Sequence, residues 1–136
     1  MIESVSEAEV LKAIKDLNCE GSPGPDGIQV FFYKELWDIV GSEVMGVIRE
    51  FQSGNFGFER INRSYLFLLP KTPGAESFQE FRPIALSNSL YLVIGKVLAN
   101  RLRPVLQDLI HLAQSAFLPS RSLQESFILA QEMVCG

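Results

Sequence analysis

The sequence predicts a mostly helical α+β domain, with helices arranged around one antiparallel β-hairpin. Three observations carry this reading. Apolar residues recur at three- and four-residue spacing in long stretches either side of the chain's middle. Two short apolar runs, Ser64–Leu69 and Phe81–Leu86, flank a loop rich in Pro, Gly and Ser. Two Ser-x-x-Glu sequences, Ser6-Glu7-Ala8-Glu9 and Ser122-Leu123-Gln124-Glu125, carry the reciprocal capping pattern that opens a helix.

Each element follows from its residues. After the first capping box, Val10, Leu11, Ile14 and Leu17 fall on one helical face. Asn18 to Gly27 is a break with two prolines and three glycines. A second amphipathic stretch, Phe31 to Val40, is expected to bury Phe32, Leu36 and Ile39. A third follows Ser42, with Val44, Val47, Ile48 and Phe51 on its stripe and Gly54 and Gly57 at its end. The hairpin comes next, pairing Tyr65–Leu69 with Arg82–Leu86. Ser87 or Asn88 then opens a long helix through Leu109, with Leu90, Ile94, Val97, Leu98, Leu102, Val105 and Leu109 apolar. Pro104 is expected to kink or divide it, because proline lacks the N–H that the helix ladder needs. Gln114 to Arg121 reads as an extended segment and turn, and a last helix follows Ser122.

Composition narrows the function classes. At 136 residues the chain is one small domain or part of a larger one, and its 47% hydrophobic content is enough for a core. No apolar run reaches the ~18 residues of a membrane span. Glu3, Glu7 and Glu9 break any signal-like stretch, so an intracellular chain, in the nucleus or cytoplasm, is expected. Cys19 and Cys135 lie far apart with no metal-ligand spacing and are read as free thiols. The net charge of −4 argues against a free-standing nucleic-acid binder. Its distribution is uneven. Residues 1–56 hold ten acids and four bases, whereas residues 57–136 hold six acids and eight bases. Positive potential is therefore concentrated around and after the hairpin.

Lys71 and Arg82 are the candidate site. They lie either side of the hairpin loop, so strand pairing brings them close. A planar, permanently charged guanidinium suits bidentate phosphate contact, and lysine adds a mobile point charge. A hairpin whose cationic ends serve solubility is the other reading, and pattern alone leaves both open. The loop Gly21-Ser22-Pro23-Gly24-Pro25-Asp26-Gly27 is no phosphate-binding loop, since it lacks the Gly-Lys-Ser/Thr step and its two prolines remove N–H donors. It reads as a rigid turn, with Asp26 as a turn or cap residue. His111, the single histidine, has no ligand cluster around it and reads as a helix-end residue. Trp37, beside Phe31, Phe32 and Tyr33, fits helix packing.

The order of these segments resembles the N-terminal part of the reverse transcriptase domain of non-LTR (LINE-type) retrotransposons, most like those of plant genomes. The markers are Pro23-Gly24-Pro25-Asp26-Gly27, Phe32-Tyr33-Lys34 with Trp37, Asn62 ahead of Leu68-Leu69-Pro70-Lys71, and Phe81-Arg82-Pro83-Ile84-Ala85-Leu86-Ser87-Asn88. Lys96-Val97-Leu98-Ala99-Asn100-Arg101-Leu102, Gln114-Ser115-Ala116-Phe117 and Leu129-Ala130-Gln131-Glu132 follow in family order. The resemblance runs from about Val5 to Val134, and it implies that residues 1–136 are a partial domain, the fingers and palm entry of a right-hand polymerase. It implies that Lys71 and Arg82 face the nucleotide triphosphate or template backbone, and that Gln114 and Arg121 lie along the template. RNA template, DNA primer and dNTP are the implied partners, with the palm region as an intramolecular one.

The sequence also departs from the family. Gly21-Ser22 stands where a lysine is usual, Tyr91-Leu92 where Tyr-Lys is usual, Ser120-Arg121 where Gly-Arg is usual, and Glu125-Ser126 where Asp-Asn is usual. These changes suggest a degenerate copy. The palm aspartates that hold two metal ions in the family are not among these residues, so no residue here is assigned as catalytic. No cofactor is expected in this chain; Mg2+ belongs to an intact family member. The chain is expected to be inactive alone. A weak RNA- or nucleotide-binding module and a helical protein-interaction domain are the alternative readings.

Overall fold

The computed structural model describes residues 3–55 and 57–109. Two compact units divide the chain after Leu98, and of the second only residues 99–109 are described. The elements are α1 (Glu7–Asp16), α2 (Val30–Glu35), α3 (Trp37–Gln52), β1 (Ser64–Pro70), β2 (Phe81–Ser87) and α4 (Ser89–Leu109). Among the described residues the fold is thus four helices and one two-stranded antiparallel hairpin, the expected class. No helix among the described residues is long and apolar enough to cross a membrane.

α1 starts where its capping box sits. The Glu9 carboxylate accepts from the Ser6 backbone N–H at 2.8 Å, and the Glu9 N–H reaches back to Ser6 Oγ at 3.4 Å. Two orphan donors of the first turn are thereby satisfied. Val10, Ala13 and Ile14 form its buried face.

The middle helices correct the sequence reading. The expected single stretch Phe31–Val40 is two helices, broken at Leu36, whose φ of −109° and ψ of 22° leave the helical region. α3 begins at Trp37 rather than after Ser42. The buried face is Val30, Tyr33, Val44, Met45 and Ile48; Phe32, Leu36 and Ile39 are exposed, Ile39 to 71%. The apolar residues of this stretch fit two helical faces, and the buried one carries Val30 and Tyr33. α3 ends in a Schellman motif: Asn55 N–H donates to Glu50 O and Gly54 N–H to Phe51 O, with Gly54 at φ +76°.

The core joins these faces to the front of α4. Ile14, Ile48, Val10 and Val93 are the largest fully buried side chains, with Ile94 and Val97 beside them. Val93 is missing from the expected stripe, while Leu98, Leu102 and Val105 of that stripe are about half exposed, at 47%, 52% and 50%. α4 runs unbroken through Pro104, so the proline does not divide it. The Gln114–Arg121 segment, the final helix after Ser122, His111 and Cys135 lie outside the described residues. Cys19 is a half-buried free thiol.

Candidate nucleotide and nucleic-acid interface

The register of the hairpin sets the site. β1 and β2 pair from Ser64↔Ser87 to Pro70↔Phe81, with Leu69 opposite Arg82. Beyond the strands, Lys71 N–H donates to Glu80 O at 2.7 Å, and at the base Asn88 N–H donates to Arg63 O at 3.4 Å. Odd-numbered β1 positions are therefore the hydrogen-bonded pairs, and even-numbered ones are not. Pro70 and Pro83 both fall in non-hydrogen-bonded pairs, Pro70↔Phe81 and Leu68↔Pro83, where no ladder N–H is required. This is why the hairpin tolerates a proline beside each cation.

Strand alternation then sorts the side chains. Tyr65, Phe67 and Leu69 share one face with Leu86, Ile84 and Arg82; Leu66 and Leu68 share the other with Ala85 and Pro83. The Ser64 and Ser87 hydroxyls meet at 2.7 Å on that second face, as the register requires. Lys71 continues the face of Leu69, diagonal to Arg82. Such diagonal neighbours lie about 7–8 Å apart in an ideal ladder. The two expected cations thus sit on one face at the loop end.

The loop fixes Lys71. Its Nζ donates to Gln79 O at 2.7 Å, using one of three ammonium donors and leaving two for a ligand. The loop is closed by Glu80, whose carboxylate accepts from Glu76 N–H at 2.8 Å and Ser77 N–H at 3.0 Å. These backbone donors, Ser77 first, hold the Glu80 carboxyl below the ordinary glutamate range. Glu80's charge is thereby occupied by its own loop. Arg82 is exposed, and among the described residues its guanidinium has no hydrogen-bond or ion-pair partner. Gln114 and Arg121 lie outside the described residues. Among the described residues no three His, Cys, Asp or Glu side chains gather as a metal site.

Over 127 residues, 93% of its length, the chain is 29% identical to the Transposon TX1 uncharacterized 149 kDa protein of Xenopus laevis. It spans 10% of that protein. No protein-family model matches the chain.

Sequence reasoning missed what anchors the base of the hairpin. Asn88, 4% exposed, accepts from Asp26 N–H through Oδ1 at 3.2 Å and donates through Nδ2 to Ile61 O at 3.2 Å. Ser89 Oγ donates to Ile28 O at 2.6 Å. The Pro-Gly-Pro-Asp-Gly turn docks on this junction. Gly27 N–H closes the turn on Gly24 O at 3.0 Å, and Asp26 Oδ1 accepts from Ile28 N–H. Asp26 is therefore a turn residue, as read from the sequence. A Cβ on Gly24 would lie 2.4 Å from Asn88 N and 2.5 Å from Ser87 C. Beside the turn, burial pushes the Tyr33 phenol up, and the Asp26 charge adds to it. In the sequence this junction shows as Ser87 or Asn88, read as a helix start, and as the rigid turn around Asp26.

A recess of about 470 Å³ lies on α1 and α3, lined by Glu7, Trp37, Asp38, Met45 and Arg49 among others. Trp37 Nε1 donates to Glu7 Oε1 at 2.8 Å there. Its indole rests against Gly41, where a Cβ would come within 2.9 Å. The indole N–H is already taken, so Trp37 is a packing residue of the helical core, as expected.

Proposed function

We propose that this chain is the fingers part of an RNA-directed DNA polymerase of a transposable element, contacting nucleotide and template and not catalysing alone. The observation that carries the reading is the hairpin register, which pairs Arg82 with Leu69 and which the Lys71 N–H to Glu80 O bond continues by one residue, setting Lys71 diagonal to Arg82, in a chain similar over 93% of its length to a transposon protein. A guanidinium without a partner among the described residues and an ammonium held by one carbonyl suit a triphosphate or sugar–phosphate backbone. Arg82 supplies the bidentate contact and Lys71 the point charge. The chemistry of phosphoryl transfer needs two metal ions held by carboxylates, which this reading assigns to a palm outside these residues.

Titration of the 136-residue chain with a dNTP and with a single-stranded RNA tests the reading. Binding should weaken as salt rises. Arg82→Ala and Lys71→Ala should each weaken it, by about tenfold for the bidentate arginine, and each should lower the salt slope by about one. Binding indifferent to salt or to both substitutions would remove the clamp. Primer extension with Mg2+ should stay at background, and templated incorporation by this chain would overturn the second half of the proposal.

A further inference from the structure

The face that carries Arg82 and Lys71 also carries two exposed aromatic rings. Tyr65 and Phe67 are 54% and 50% exposed, and their rings meet edge to face at 6.3 Å. Residues opposite them on β2 are aliphatic: Leu86 faces Tyr65 and Ile84 faces Phe67. Along one strand face the order is therefore aromatic, aromatic, leucine, lysine, with an arginine across from the leucine. The other face has no such order. Leu66, Leu68, Ala85 and Pro83 are aliphatic, and neither a cation nor an aromatic ring lies among these four.

An exposed aromatic pair beside two exposed cations complements a ligand with flat π surfaces joined by regularly spaced negative charge. We infer that Tyr65 and Phe67 form a stacking platform for the unpaired bases of a single RNA strand, whose phosphates run past Arg82 and Lys71. This inference rests on the phosphate-contacting role proposed above for those two residues. Stacking is tolerant of sequence, because every base has a π face. The platform thus reads the strand as single and unpaired rather than reading which bases it carries. Rigidity comes from the ladder: Phe67 and Tyr65 both sit in hydrogen-bonded pairs, and Asn88 and Ser89 tie the hairpin's base to Asp26, Ile28 and Ile61. The bases would also cover part of the apolar area that this face leaves open to water.

The test compares two 12-nucleotide probes of equal charge by fluorescence anisotropy with the full 136-residue chain. One is oligouridylate RNA, and the other is the same backbone without bases. The chain should bind the RNA more tightly, by about fivefold or more. Replacing both rings by leucine, Y65L/F67L, should erase that preference while leaving binding of the base-free strand unchanged. Arg82→Ala should weaken both probes equally. RNA carrying 5-iodouridine should photo-crosslink at Tyr65 or Phe67. Equal binding of both probes by the parent chain, still sensitive to Arg82→Ala, would overturn the platform and leave the phosphate clamp standing. Binding of neither probe would overturn both. A Y65L/F67L variant that changes sedimentation of the chain without changing RNA affinity would assign this face to protein association instead. Leucine keeps these half-exposed positions apolar, and circular dichroism of the variant should match the parent.

Discussion

In the helical core, Ile14, Ile48, Val10 and Val93 are sealed from water, whereas every residue of β1 is exposed, Leu66 to 68%. Yet β1 is the more apolar of the two stretches residue for residue: Tyr65-Leu66-Phe67-Leu68-Leu69 has no polar break. A run of that kind is expected where both faces of a strand are covered. The core holds its shape by burial, at about 1.5–3 kcal/mol for each fully buried aliphatic or aromatic side chain. The hairpin holds its shape by its ladder, by Glu80 across its loop and by Asn88 at its base. Hydrophobic residues that do not serve the fold they sit in are available for recognition.

The sharpest way to break this comparison is to truncate one side chain in each region. Ile48→Ala removes a fully buried side chain from the centre of the core and should cost about 2–5 kcal/mol in urea denaturation. Leu68→Ala removes a side chain of similar size from the hairpin, 45% exposed, and should stay within about 1 kcal/mol. Equal costs would mean that the hairpin is covered in solution and that its exposed faces are not available.

The junction between the two regions should give the next largest effect. Gly24→Ala puts a methyl 2.4 Å from the Asn88 backbone nitrogen. That contact is with backbone and cannot be relieved by a rotamer change, so a loss of about 1–3 kcal/mol is expected. Asn88→Ala should cost a similar amount, because it leaves Asp26 N–H and Ile61 O without their partner. Gly27→Ala, at φ +72° with open space around it, should cost less, near the ~1 kcal/mol left-handed penalty. If Gly24→Ala were as mild as Gly27→Ala, the turn would not be docked on the hairpin's base.

How far the sequence could be read follows from where the constraints come from. α1 was legible because its cap is local: Ser6 and Glu9 are three residues apart and Val10 and Ile14 share a face. The hairpin was legible because its two runs are close in sequence and can pair in one sensible register. The phase of α2 and the start of α3 were not legible. Phe32, Leu36 and Ile39 form as good a stripe as Val30 and Tyr33 do, and periodicity cannot choose between them. The turn ahead of α2 is docked on Asn88, 62 positions from Asp26, and no local pattern carries a contact of that range. The same holds for the site. Lys71 and Arg82 were visible as cations near a turn, and Glu80 could have been seen as the fourth residue of a Ser-x-x-Glu sequence starting at Ser77. That Glu80 would turn its charge onto Glu76 and Ser77 rather than onto Lys71 or Arg82 depends on loop geometry alone.

The smallest effect concerns that loop, and it separates the regions by pH. The Glu80 carboxyl titrates lower in the folded chain than in the unfolded one, because Ser77 and Glu76 N–H groups bond its ionised form. Its contribution to loop order is therefore complete above the ordinary glutamate range, about pH 4.3, and is lost as pH falls through the lowered folded value. The side chain is fully exposed, so global stability should barely register the change. Amide chemical shifts of Glu76 and Ser77 should titrate together in that acid window, while Ile48 in the core stays unmoved. Glu80→Gln should abolish the titration. The loop also holds Lys71, through Gln79 O, so the same substitution should loosen the ammonium and weaken binding of the base-free strand by less than about twofold. Arg82, held by the ladder opposite Leu69 rather than by the loop, should keep its full share. If Glu80→Gln weakened binding as much as Arg82→Ala, the loop rather than the strand pair would be what positions the cationic face.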